Sequence, residues 1–430
     1  MVTLDERAAS AAWAADEAVA RGEPVGPLHG VAMTVKDSLS TAGLRTTGGT
    51  PDLATHVPDE DAPVVAALRH AGAIIFGKTN MPEYAADVQT GGALFGLARN
   101  PWHPDYTTGG SSGGSAGAVA AGFTPVELGS DVAGSIRIPA ANCGVLGHKP
   151  SFGIVSMHGH VPPFPHKHAT PDMSVVGPIA RTARDVEIVL DVVAGPHPFD
   201  RPAWHLTLPK SRPLRRVAAW FDAPYCPVDA EVRNALATAA AALVADGISV
   251  DVGSAAELGL DIDLARNDEV FRRLLTAVAS GGYSDALIED IAVGRRPVSA
   301  ELGAEYVAQR HRHWLVANEQ RAQFRLRWQE FFAKYDAILL PVTPNPVSEH
   351  DSRPFEDRTI VVNGVPRPYW DQIVWSGLAS VSYLPSTAVP VGLDTRGLPL
   401  GIAVVGPYLA DRTTLALAGR LADLLPPLTA

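Results

Sequence analysis

Four glycines and three serines fill the seven positions Gly109-Gly110-Ser111-Ser112-Gly113-Gly114-Ser115. Such a run alone describes a flexible linker. Its flank argues otherwise. Ala116-Gly117-Ala118-Val119-Ala120-Ala121-Gly122 follows directly, and Val126 to Pro139 continues in small and apolar residues. Linkers are polar and solvated, whereas small residues pressed against glycines mark an interior where backbone approaches something closely. The run is expected to form a buried site to which distant parts of the chain must come.

The 430 residues are 46% hydrophobic and 19% charged, enough apolar material for one large α/β domain or two ordinary ones. A formal charge of −11 without a dense Lys/Arg cluster argues against nucleic acid or an anionic membrane as main partner. Two cysteines, Cys143 and Cys226, cannot build a disulfide framework and suit a reducing compartment. The N-terminus lacks the basic-then-apolar pattern of a signal peptide, and no apolar run nears the roughly 20 residues of a membrane span. A cytoplasmic location is expected.

Along the chain, helices and apolar strands alternate. Residues 5–21 read as an Ala-rich surface helix, and the apolar run from His29 closes on Lys36-Asp37. Because that run is apolar on both faces, the Lys36 stem is expected to start inside the protein. A helix at 62–71 and a strand at 73–77 follow, with further strands near 216–221, 248–252, 337–341, 387–391 and 400–405. Helices are expected at 229–245, over much of 261–335, near 370–378 and at 410–424. Trp314, Leu315, Phe324, Trp328, Phe331 and Phe332 recur at helical spacing and read as core. Residues 343–367 read as a long polar loop rimming a cleft. The pattern predicts a single α/β domain over 1–430 with a mixed, largely parallel twisted sheet covered by helices on both faces. Its core is expected at about 25–190 and 335–424, with a more variable, mostly helical part at about 195–335.

Three chemistries compete for the Gly/Ser run. A phosphate loop needs Lys-Ser/Thr directly after the glycines, and none is there. A nucleophile elbow fits formally at Ser112, but a Gly/Ser run matches G-x-S-x-G by composition, and Asn100-Pro101-Trp102-His103-Pro104 ahead of it is loop rather than strand. His158, His160, His166 and His168 invite a metal, yet no cysteine or closely spaced carboxylate accompanies them, so a solvated loop beside a cleft is the better account. No metal and no cofactor are expected. The third chemistry joins the run to Ser135 and Lys36.

Gly109 to Ser115, followed by Gly129-Ser130-Asp131-Val132-Ala133-Gly134-Ser135-Ile136-Arg137-Ile138-Pro139-Ala140, closely resembles the amidase signature. Val35-Lys36-Asp37 matches that family's upstream lysine motif, and Gly144 to Pro150 its downstream flank. The resemblance implies a Ser–cisSer–Lys triad: Ser135 as nucleophile, Ser111 as bridging serine after a cis Gly110–Ser111 bond, and Lys36 as general base. It also implies an oxyanion hole of backbone N–H groups from Val132, Ala133, Gly134 and Ser135. The physics is compatible. A serine needs a positioned base, and lysine serves only when its pKa falls from about 10.4 towards neutrality by desolvation. Many members carry Gly-Gly before the nucleophile, so the Ala133 methyl bears on substrate size. Fewer residues precede Lys36 than in many members, the pattern of a shortened start.

The resemblance implies hydrolysis of a small-molecule carboxylic amide. Ester or carbamate hydrolysis, and the glutaminase subunit of a tRNA-dependent amidotransferase, are alternatives within the family; a non-catalytic scaffold is the alternative outside it. A homodimer is compatible with the sequence. Met81, Ile136, Tyr369, Trp370, Trp375 and Tyr383 are candidate pocket walls for an aryl or aliphatic acyl group.

Overall fold

The apolar runs become the strands of one sheet. The computed structural model describes residues 1–161, 169–282, 284–295, 306–428 and 430; His166 and His168 lie outside them. The first strands are β1 (Thr3–Leu4), β2 (Ala32–Lys36), β3 (Ile74–Thr79), β4 (Val126–Asp131), β5 (Leu146–Lys149) and β6 (Val175–Ala180). They are followed by β7 (Arg216–Ala219), β8 (Ser249–Val252), β9 (Ala337–Pro341), β10 (Thr359–Val362), β11 (Val365–Pro368), β12 (Ser386–Leu393) and β13 (Pro399–Val405).

Eleven of these form a sheet in the order β1-β3-β2-β4-β6-β5-β12-β13-β9-β7-β8. The sheet is mixed. Parallel pairing joins β3, β2 and β4 in one wing and β9, β7 and β8 in the other. Between the wings β4, β6, β5, β12, β13 and β9 pair antiparallel. Residues 195–335 therefore supply β7 and β8 to the same sheet that carries the Gly/Ser region.

The helices are α1 (Ala8–Ala20), α2 (Pro63–His70), α3 (Gly113–Ala120), α4 (Arg137–Cys143), α5 (Ala183–Val193) and α6 (Ala230–Ala245). Then come α7 (Leu264–Ala279), α8 (Asp285–Ala292), α9 (His311–Phe331), α10 (Val374–Val381) and α11 (Asp411–Leu424). As its Ala-rich composition suggests, α1 buries no residue. On α9, Phe324, Trp328 and Phe331 are core and Phe332 joins them, but Leu315 is 50% exposed, a correction to the proposed stripe. It stands one position round from Trp314, away from the face that packs on α7.

Two segments depart from the linear reading. The second half of the Gly/Ser run is helical, as α3, because its small residues let it lie against β4 and α4. The polar loop at 343–367 contains the β10–β11 hairpin. Its turn is Asn363-Gly364, both at positive φ (51° and 78°), the conformation that an Asn-Gly pair adopts readily in two-residue hairpins. Among the described residues no helix is long and apolar enough to cross a membrane.

Candidate active site

The site forms where β2 and β4 end beside each other. β2 delivers Lys36 at its last position, with Met33 and Val35 fully buried before it. β4 runs alongside in parallel and ends in Ser130-Asp131, and the chain then turns through Val132-Ala133-Gly134-Ser135 into α4. The Gly/Ser run crosses this corner. Its Gly110–Ser111 peptide is cis. Gly110 has no room for a side chain: a Cβ there would lie 2.5 Å from the Asp87 carbonyl oxygen and 2.8 Å from Gln89 N. This is the close backbone approach that the glycines implied.

Lys36 is fully buried, and its Nζ donates to Ser111 Oγ at 2.7 Å and to Ser130 Oγ at 3.0 Å. Burial pushes the ammonium down to about 7, against the opposing charges of Asp131 and Glu127. Ser111 is 1% exposed, whereas Ser135, Val132 and Ala133 are half-buried. Access thus increases from the lysine through Ser111 to the Ser135 turn. The Ser112 N–H donates to the Ser135 carbonyl at 3.0 Å, which ties the two serine segments together.

Ser112 itself is engaged elsewhere. Its Oγ donates to the Ser130 carbonyl at 3.1 Å and accepts from Ser130 N–H at 3.3 Å, with no exposed surface. The elbow reading at Ser112 has no geometric support; this hydroxyl holds the end of β4.

Asp131 shapes the turn. Its Oδ1 accepts from Gly134 N–H at 2.9 Å, and its Oδ2 accepts from Ile136 and Arg137 N–H at 3.0 and 3.3 Å. The Arg137 guanidinium clasps both carboxylate oxygens, at 3.0 and 2.8 Å, and continues to the Ser376 carbonyl and Ser380 Oγ on α10. Burial alone would raise the Asp131 carboxyl, but the Arg137 charge and these hydrogen bonds hold it well below the usual carboxylate range. The Gly134 N–H is committed to Asp131, so among the four expected oxyanion donors it faces the protein. Gly134 sits at φ 109°, and a Cβ would lie 2.8 Å from Ile138 Cδ1.

Two further buried cations were not singled out from the sequence. Lys78 donates to the Leu39 carbonyl and to Thr41 and Thr46 hydroxyls, and burial lowers it to about 8. Lys149 donates to the Pro150 carbonyl at 2.9 Å and is lowered by burial to about 7. Glu127, on the face of β4 that carries Thr34 and Lys36 on β2, was also missed. Its carboxyl accepts from Thr79 Oγ1 at 2.6 Å, and burial raises it to about 7. Residues of this type inside an apolar run are the sequence signal that could have found them.

A buried Ser151–Asp411–His148 group resembles a triad by composition only. Asp411 stands between the other two, accepting from Ser151 Oγ at 2.7 Å and lying 3.1 Å from His148 Nε2, with all three sealed from solvent. It fastens β5 to the start of α11.

The six pocket candidates do not form one wall. Ile136 packs under the sheet against Gly129, Gly147 and Gly177, and Trp375 lies in the core with Trp220, its Nε1 donating to the Cys226 carbonyl. Tyr383 stacks on Phe152 and donates to Asp172, under Arg321 of α9. Met81 is buried beside Gly49. Tyr369 donates to Asp87 Oδ1 at 2.6 Å and forms an aromatic group with Trp370 and Phe355. Since the Asp87 carbonyl abuts Gly110, Tyr369 is linked through Asp87 to the Ser111 segment. His160, assigned to a solvated loop, lies with Nε2 2.9 Å from Ser130 Oγ.

Comparison with known proteins agrees with this architecture. The sequence model of the family described as Amidase matches residues 1–415. The A-type subunit of glutamyl-tRNA(Gln) amidotransferase from Desulforapulum autotrophicum is 31% identical over 451 aligned residues, covering 96% of this chain and 87% of its own. A solved structure described as an amidase superposes with a TM-score of 0.80 at 32% identity, over 98% of this chain and 91% of that one. The corresponding amidotransferase protein of Thermotoga maritima superposes with a TM-score of 0.76 at 26% identity, over 94% and 85%. With sequence and fold matched along nearly its whole length, the chain belongs to the Amidase family, the amidohydrolases that act on C–N amide bonds.

Proposed function

We propose that the protein hydrolyses a small carboxylic acid amide through a Ser135 acyl-enzyme, with Ser111 as proton relay and Lys36 as base. The observation that carries this reading is the sealed Lys36–Ser111 contact of 2.7 Å on a lysine held near neutrality. In its neutral form Lys36 takes the Ser111 proton as Ser111 takes that of Ser135, whose Oγ attacks the acyl carbon. The N–H groups of Val132, Ala133 and Ser135 stabilise the tetrahedral oxyanion, each donor contributing about 3 kcal/mol. The proton returns through Ser111 to the leaving amine, and water then hydrolyses the ester. Among the pocket candidates, Tyr369 is supported by its link through Asp87 to Gly110, with Trp370 packed on its ring.

The test is acyl-enzyme trapping. A serine-reactive phosphonate should add its mass to Ser135 and to no peptide of Ser135→Ala; an adduct elsewhere, or none, overturns the reading. A panel of anilides, aliphatic amides, esters and carbamates then ranks substrates.

The relatives' name favours a second reading, in which the amide is glutamine and the chain works with partner proteins. Ammonia release from glutamine that appears only with co-purifying partners would favour it over the stand-alone amidase.

A further inference from the structure

The base carries a second contact whose own partner lies outside the proposed triad. Ser130 Oγ, 3.0 Å from Lys36 Nζ, is also 2.9 Å from His160 Nε2. The His160 loop is tied to the segment leaving Lys36. Ser40 N–H donates to the Gly159 carbonyl at 2.9 Å, Val161 N–H donates to the Ser38 carbonyl at 2.6 Å, and Leu39 and His160 form an antiparallel bridge. The imidazole is therefore positioned by the same backbone that positions the base.

A hydroxyl has one proton to give and two lone pairs to offer. A neutral lysine has two protons and a single lone pair. When Lys36 is neutral it therefore meets two hydroxyls, Ser111 and Ser130, that compete to donate to it. Only a lone pair turned towards Ser111 lets the amine act as base. If Ser130 gave its proton to Nζ, the pair would be engaged by a hydroxyl leading nowhere.

We infer that His160 is a positioning residue for the base: its Nε2 accepts the Ser130 proton, keeps Ser130 as an acceptor towards Lys36, and so leaves the Lys36 lone pair for Ser111. The inference rests on the proposed role of Lys36. His160 reaches the base through Ser130.

The experiment compares His160→Phe, which keeps a flat ring without an acceptor, with His160→Gln, whose Oε1 can reach the place of Nε2. Steady-state kinetics and the rate of phosphonate adduct formation are measured on variants shown by thermal unfolding to be folded. His160→Phe is expected to lower kcat about 10- to 100-fold, part of the roughly 10²–10⁴ that acid–base catalysis supplies, with KM within about twofold. His160→Gln is expected to recover kcat to within about threefold of the parent. In a Ser130→Ala background, His160→Phe should cost nothing further. Equal rates for Phe and Gln, a fully active Phe variant, or a full extra loss in the Ser130→Ala background overturns the inference. If His160→Phe fails to fold, His160→Leu, which also lacks an acceptor, takes its place and is judged by the same criteria. Lys36→Ala separates the two levels: full turnover there defeats the base assignment itself, whereas an inactive Lys36→Ala beside an unaffected His160→Phe defeats only the role of His160.

Discussion

Lys36 and Ser111, 75 positions apart in the chain, meet at 2.7 Å with neither exposed by more than 1%. Desolvation at this contact makes the neutral, proton-accepting form of the lysine available near pH 7.

Activity should rise with pH through a midpoint near 7, because burial lowers Lys36 to about 7 and only the neutral amine accepts a proton. Measured as kcat/KM against pH, an acid limb centred near 10 would contradict this. Lys36→Ala should lose at least about 10³-fold in kcat while KM changes little.

Glu127 should tune that midpoint. Its negative charge favours the charged form of Lys36, so Glu127→Gln is expected to move the acid limb to lower pH. The linkage has a defined sign. The folded state binds the Glu127 proton up to about 7, against 4.5 for an ordinary glutamate, so this group makes stability fall as pH rises from 4.5 to 7. Lys36, held at about 7 against 10.5, makes stability rise as pH goes from 7 to 10.5. Urea midpoints across pH should rise less between 7 and 10 in Lys36→Met than in the parent.

Ser111 and Ser112 are neighbours with opposite expected phenotypes. Ser111→Ala should lower kcat by about 10²–10⁴ with little change in stability. Ser112→Ala removes hydrogen bonds to Ser130 backbone and should cost about 1–3 kcal/mol of stability, read by chemical denaturation, while adduct formation at the nucleophile persists. Equal kinetic loss in both would remove the distinction.

Asp131→Asn should be the most destabilising of these changes. It leaves the Arg137 guanidinium buried against a neutral partner, a loss of about 3–5 kcal/mol, and loosens the turn that presents Ser135. A denaturation midpoint like the parent's would show that the turn is held otherwise.

Gly134→Ala should impair both stability and turnover. At φ 109° an alanine costs about 1–3 kcal/mol, and its methyl would meet Ile138 and Ser376. A fully active variant would mean that the turn before Ser135 has slack.

Local chemistry determined much of this protein from the sequence alone. Short β-branched runs apolar on both faces read as interior strands, which located β2, β3, β9, β12 and β13 and sent Lys36 inwards. Glycines beside small residues require close approach, and Gly110 against Asp87 is that approach. The spacing of the serine and lysine motifs carried the family and the expected triad. The Asn363-Gly364 turn was equally local, and its hairpin was legible in principle.

Other features depend on which distant segments meet. The Gly134 N–H, one of the expected oxyanion donors, bonds to Asp131 because Arg137, anchored on α10, holds that carboxylate against the turn. Ile136 and Trp375 fill core while Tyr369 reaches Asp87, a division that hydrophobicity does not encode. His160 was one histidine among several in a Pro-rich loop, and nothing local distinguishes it. Only the pairing of that loop with the chain leaving Lys36 sets it beside Ser130. Burial and hydrogen-bond direction belong to the folded chain, and they decide which polar residues face the base.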